Sequence, residues 1–265
     1  MQASAVTPRL SLRYDLSEGT NVYFTFSKGF KTAVIAGFEQ SDVYAKPETI
    51  KSYEVGLKSV GERYRVSTAV YYYDYKDQQA QFWNGTGSIL GNAKTTKMTG
   101  MELDAQYKVT SGLLVQGGFS WLPKAEYGQF SGLAYYPDTM GPNGMTPVTL
   151  DMTGKRVIKA PEFTANLTVS YAADTSIGLI TPSFNAFHTS ALWFDVARQV
   201  SQGAYTTINA NVQFKPKAVE RLELTVFARN LTNKAFFTST LLGPTSNAPV
   251  YSPPRQIGLG AAYKF

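Results

Sequence analysis

The sequence predicts an all-β fold: an antiparallel up-and-down wall of about eleven strands belonging to a transmembrane β-barrel. Three observations predict it. Apolar and polar residues alternate with period two along most of the chain, the connections are short and long by turns, and aromatic residues gather where strands end. Successive side chains of a strand point to opposite faces, so alternation means one greasy face and one wet one.

Taken in order, the alternating segments are 8–15, 20–29, 48–58, 63–77, 94–109, 113–123, 157–171, 177–190, 204–215, 221–233 and 255–265. The clearest are Ile208-Asn209-Ala210-Asn211-Val212-Gln213-Phe214-Lys215 and Met101-Glu102-Leu103-Asp104-Ala105-Gln106-Tyr107-Lys108. Short connections follow the odd-numbered segments, at 16–19, 59–62, 110–112, 172–176 and 216–220. Long ones follow the even-numbered segments, around 30–47, 78–93, 124–156, 191–203 and 234–254. Up-and-down neighbours place all odd connections at one rim and all even ones at the other. Membrane barrels show that asymmetry, with short periplasmic turns and long extracellular loops. Strands of roughly 10 residues also match what a tilted strand needs to cross a bilayer. The aromatic residues Tyr71-Tyr72-Tyr73, Tyr75, Phe82-Trp83, Trp121, Phe236-Phe237, Tyr263 and Phe265 read as interfacial girdles.

Composition removes other classes. The 265 residues are 43% hydrophobic and only 17% charged, which excludes disorder. With no cysteine and one histidine, His188, there is no disulfide, no thiolate nucleophile and no histidine metal cluster. The net charge of +6 comes from basic residues scattered singly, so no nucleic-acid partner is implied. No window approaches a transmembrane helix, and the first residues have neither the basic nor the apolar region of a signal peptide.

Four stretches carry a family resemblance. They are Asn21-Val22-Tyr23-Phe24-Thr25-Phe26-Ser27-Lys28-Gly29-Phe30-Lys31, Pro47-Glu48-Thr49-Ile50-Lys51-Ser52-Tyr53-Glu54-Val55-Gly56-Leu57-Lys58, Ala228-Arg229-Asn230-Leu231-Thr232-Asn233-Lys234-Ala235-Phe236-Phe237, and the closing Pro254 to Phe265. In that order they resemble the C-terminal half of the barrel of TonB-dependent outer-membrane receptors. The resemblance implies a Gram-negative outer-membrane location, outer-membrane lipid as surroundings, and a terminal aromatic signal (Phe265 with Tyr263) read by the barrel assembly machinery. It also implies uptake of a small-molecule ligand such as a siderophore complex, vitamin or oligosaccharide. Contact with the TonB complex would run through an N-terminal plug region that this chain does not contain. Full receptors close with about 22 strands, so residues 1–265 read as one domain, the C-terminal part of such a barrel. After Lys31 the chain departs from the family pattern with Thr32-Ala33-Val34-Ile35-Ala36-Gly37-Phe38.

Chemistry competes poorly with scaffold. Glu102 and Asp104 share one strand face, as a glycosidase pair could, yet a polar lumen needs such residues too. His188 with Ser190 and Asp195 is a weak hydrolase reading. No enzyme and no cofactor are expected. Binding on the long-loop rim is, with Tyr135, Tyr136, Trp83, Trp193 and Phe194 as stacking surfaces and Arg156 and Arg198 for anionic groups. Two other readings stay open: a soluble β-rich carbohydrate-binding module, and a small passive outer-membrane pore.

Overall fold

The computed structural model describes residues 4–35, 44–83, 88–138, 140–141, 144–241 and 247–265. Eleven strands follow one another in space as they do in sequence. They are β1 (Arg9–Ser17), β2 (Thr20–Lys31), β3 (Glu48–Val60), β4 (Tyr64–Trp83), β5 (Ser88–Lys108), β6 (Leu113–Tyr127), β7 (Phe163–Tyr171), β8 (Gly178–Thr189), β9 (Tyr205–Pro216), β10 (Leu222–Arg229) and β11 (Gln256–Tyr263). Every pairing is antiparallel, and the two-residue strand Ala173–Asp174 adds a stub beside β8. Among the described residues no ladder joins β1 to β11, so the sheet has two edges.

The ladders explain the alternation. From β1 to β6 one row runs Leu12, Phe24, Val55, Val70, Met101, Trp121, and continues to Phe163 on β7. At the other edge Val212, Val226 and Leu259 are opposite one another. These side chains form an outward apolar band. Its exposure is large, with Leu259 at 81% and Ile257 at 72%, as a lipid-facing wall predicts. Phe26, Tyr53 and Tyr72 close the band toward the long loops, while Tyr64, Tyr107, Tyr171 and Tyr263 close it toward the short turns.

The opposite face is polar. It carries Glu54, Glu102, Asp104, Gln106, Gln116, Asn166, Thr168, Asn185 and Asn209, the last three joined side chain to side chain across β7, β8 and β9. Tyr71 lies on this face against Gly100, its cross-strand partner, where a Cβ would stand 2.4 Å from the ring. Gly100 also interrupts the β5–β6 register. Gly100→Leu is therefore expected to displace Tyr71 and destabilise the folded protein by about 2 kcal/mol. Urea unfolding in detergent micelles measures this.

Two expectations change. The second long connection, expected over 78–93, is mostly strand: β4 and β5 stay paired from Tyr64–Tyr107 to Trp83–Ser88 and extend beyond the girdle as a hairpin. The stretch Gln78-Gln79-Ala80-Gln81 is polar and reads as loop, but Gln79 donates to the Thr32 and Lys46 carbonyls of the first long connection and Ala80 is buried among the loops, while Gln81 is exposed. The aromatic run at 71–73 also divides. Tyr72 joins the outward girdle, whereas period two turns Tyr71, Tyr73 and Tyr75 to the inner wall, with Tyr71 stacked on Tyr73 at 4.7 Å. Smaller differences are at strand ends, such as β6 running on to Tyr127 and β7 beginning at Phe163.

Candidate functional site

The buried core is at the long-loop rim. Ala80 and Ala93 of the raised hairpin, Ala125 and Tyr127 of β6, Phe130, Met152 and Val157 of the third loop and Val196 of the fourth form one cluster. Small residues on the strands let the loops pack closely against them. The long connections carry hairpins of their own, Ser131–Pro137 with Met145–Asp151 in the third, Leu192–Trp193 with Ser201–Gln202 in the fourth, and Phe237–Leu241 with Ala248–Tyr251 in the fifth.

The third and fourth loops are clasped by residues that also read as ligand contacts. Arg156 donates through Nε to the Ala160 carbonyl at 2.7 Å and through Nη2 to the Leu122 carbonyl at 2.5 Å. Burial pushes its pKa down, while Glu162 and Glu126 push it back up. Arg198 donates to the Arg156 carbonyl at 3.3 Å and lies over the Trp193 ring at 5.4 Å. The Tyr136 hydroxyl donates to the Ala197 carbonyl at 3.2 Å. Burial, then the Asp195 charge, raises the Tyr136 pKa, so the phenol keeps the proton it donates.

The structure thus brings Tyr136, Arg156, Trp193 and Arg198 together, each half-buried, at one seam. Phe194 is 8% exposed, a core position that offers a ligand little ring surface. The side chains of Trp83 and Tyr135 lie outside the described residues, as do Ala36–Phe38 and the Gly85-Thr86-Gly87 stretch. Tyr263 and Phe265 are exposed at the end of the last strand, their rings edge to face at 5.5 Å.

Asp195, Ser190 and His188 do not form a catalytic set. The Asp195 carboxylate accepts the Gln199 and Val200 amides at 3.0 and 2.8 Å, closing its own turn. Ser190 Oγ accepts the Phe163 amide, and His188 Nδ1 meets Thr206 Oγ1 at 2.9 Å on the outward face. Glu102 and Asp104 are on the polar inner face opposite Ser120 and Gly118. Sequence reasoning missed two groups here. The inward phenols of Tyr73 and Tyr75 were legible from period two, while the joining residues Gln199 and Gln202, which accept from Asn247 and the Phe237 amide of the fifth loop, had no local signal.

At the tip of the third-loop hairpin, Asp138 accepts from the Thr146 hydroxyl and the Met140 amide, and these bonds hold its pKa below the ordinary aspartate value. A depressed carboxylate pKa stabilises the fold above its unfolded value, and that contribution is lost as pH falls through the folded one. Thr146→Val is expected to move the Asp138 titration back up toward the ordinary value, read by carboxyl NMR in micelles.

The arrangement is a raised, cross-braced cap of loops over a polar inner wall. Residues 1–231 match the family model described as TonB dependent receptor-like, beta-barrel. The chain belongs to the TonB-dependent receptor β-barrel family. It is thereby an outer-membrane β-barrel chain. The pesticin receptor of Yersinia pestis is 24% identical over 268 residues, covering 98% of this chain and 36% of the receptor. The ferric yersiniabactin uptake receptor FyuA from Yersinia pestis superposes with a TM-score of 0.78 at 21% identity, over 97% of this chain and 37% of that one. The siderophore receptor PiuA from Acinetobacter baumannii gives 0.73 at 16% identity, over 97% and 35%. The chain therefore spans about a third of the length of the receptors it matches.

Proposed function

We propose that residues 1–265 are the C-terminal part of the barrel of a receptor that takes up a scarce nutrient chelate, an iron–siderophore complex, by a TonB-dependent route. The reading assigns the chain no enzymatic activity. The observation that carries it is the likeness, over 97% of the chain, to the ferric yersiniabactin uptake receptor. Topology supports it against a small passive pore. Eleven antiparallel strands give β1 and β11 the same direction, so the two edges cannot pair antiparallel with each other. A further odd number of strands closes such a wall. The outward apolar band argues against a soluble carbohydrate-binding module, since its exposed side chains need lipid.

In this reading the ligand meets the third- and fourth-loop seam first. The Trp193 indole and Tyr136 phenol supply flat surfaces and Arg198 a cation, and the inward Tyr73 and Tyr75 line the wall below. The terminal Phe265 and Tyr263 present the strand to the assembly machinery.

The first test is the size of the native polypeptide in outer-membrane fractions, probed with an antibody against the third loop. A band two to three times the length of this chain is expected, whereas a heat-shifting band at its own length sinks the reading. The second is binding of ferric siderophores to the purified receptor. Trp193→Ala with Tyr136→Ala is expected to weaken binding about tenfold or more, as loss of aromatic anchors does. Unchanged affinity removes the seam as the contact.

A further inference from the structure

One outward feature is unexplained by the barrel and by uptake. Immediately above the girdle of Phe26, Tyr53 and Tyr72, the next row around the wall is Lys28, Lys51, Asp74, Lys97 and Glu126, each directly opposite the next across β2, β3, β4, β5 and β6. Lys124 stands two residues before Glu126 on the same outward face and pairs with it at 3.9 Å. Lys28, Lys51 and Lys97 are in no ion pair among the described residues.

Lys28 and Lys51 are direct cross-strand partners, with backbones about 5 Å apart, and like charges so placed repel. Such a pair is destabilising unless an anion sits between them. The opposite edge of the band has no equivalent: its outward ring is Tyr64, Tyr107, Tyr171 and Tyr263, and no lysine occupies an outward strand position there. The row ends on β6, where the Glu126 backbone bridges to Arg156 of the third loop. A generic solvated rim would not be one-sided.

The height of the row decides the partner. Aromatic girdles mark the boundary between hydrocarbon and headgroups, so the next outward row is at headgroup level, with the membrane itself as its neighbour. Ammonium groups there meet phosphate oxygens as charge-assisted hydrogen-bond donors. We propose that Lys28, Lys51 and Lys97, assisted by Lys124, form a binding surface for the phosphorylated headgroup of a lipid in the leaflet on the long-loop side. Asp74 and Glu126 space the cations and leave the net charge positive. The lipid relieves the Lys28–Lys51 repulsion and braces the face of the barrel that carries the raised hairpin.

The test uses the receptor purified from outer membranes in mild detergent, with native mass spectrometry reading retention of a bisphosphorylated glycolipid, a zwitterionic phosphatidylcholine and inorganic phosphate. The native protein is expected to keep the bisphosphorylated lipid selectively, and Lys28→Gln with Lys51→Gln and Lys97→Gln to bind it about a hundredfold more weakly. Should that triple variant not fold, judged by heat-shifted migration, Lys51→Gln with Lys97→Gln answers the same question with a smaller loss. Lys217→Gln, at the short-turn rim, is expected to change nothing. Equal retention by the lysine variants, an equal loss in the Lys217 variant, equal retention of phosphatidylcholine, or displacement of the lipid by millimolar phosphate overturns the proposal.

Discussion

Replacing Arg156 with alanine is expected to loosen the whole loop cap and to cost about 3 kcal/mol of its local stability. The guanidinium reaches two carbonyls that belong to different segments, Leu122 within β6 and Ala160 before β7. Hydrogen bonds from a charged donor contribute about 1.5 to 3 kcal/mol each, and both acceptors lose their partner at once. The Arg156 main chain also accepts from Arg198, so the fourth loop loses its reference point when the third moves. Arg156→Lys is expected to rescue little, because an ammonium is a single point and cannot span two carbonyls as a planar fork does. Limited proteolysis reads the result: cleavage within 128–162 should become fast in both variants while the strands stay protected. Cleavage no faster than in the native protein would show that the apolar cluster around Tyr127, Phe130 and Met152 holds the cap alone.

That result bears on function, because the residues that looked most like ligand contacts in the sequence are structural here as well. Arg156 and Arg198 read as cations for an anionic ligand, and Arg198 still offers one over Trp193. Their carbonyl partners were invisible beforehand, being backbone atoms brought close only by the fold. Phe194 looked like a stacking surface and packs inward, as a loop needs at least one apolar anchor. The wall itself was far more legible. A membrane strand must place lipid-compatible and water-compatible residues in strict alternation, so the pattern in Met101 to Lys108 is the geometry of the sheet written out. Legibility fails where lipid stops. Above the girdle, Gln78 to Gln81 faces protein and water, and Ala80 and Ala93 are small because loops press on them. Nothing within the hairpin's own sequence says that.

Asn230 offers the sharpest local test, since one side chain fastens the start of the fifth loop to its return. Its Nδ2 donates to the Lys234 and Pro253 carbonyls at 2.9 and 3.2 Å, and its Oδ1 accepts the Lys234 amide at 2.8 Å. Its own amide donates to Asn209 Oδ1, which extends the side-chain row from the Thr168 hydroxyl through Asn185 to this corner. The backbone at Asn230 is left-handed, with φ of 48°, a conformation asparagine tolerates and alanine does not. Asn230→Ala therefore loses three hydrogen bonds, about 1 kcal/mol each, and gains roughly 1 kcal/mol of backbone strain. The expected loss is about 4 kcal/mol. Asn230→Gly keeps the backbone relaxed and should recover the strain alone. Asn230→Asp keeps the size and the acceptor but has no donor for the two carbonyls, and it places a charge beside them, so it should fall nearer alanine than the native protein. Urea unfolding in micelles ranks the three. If aspartate proves as stable as asparagine, the carbonyl bonds carry nothing and the acceptor oxygen facing the Lys234 amide holds the turn; if glycine matches asparagine, backbone conformation alone explains the residue.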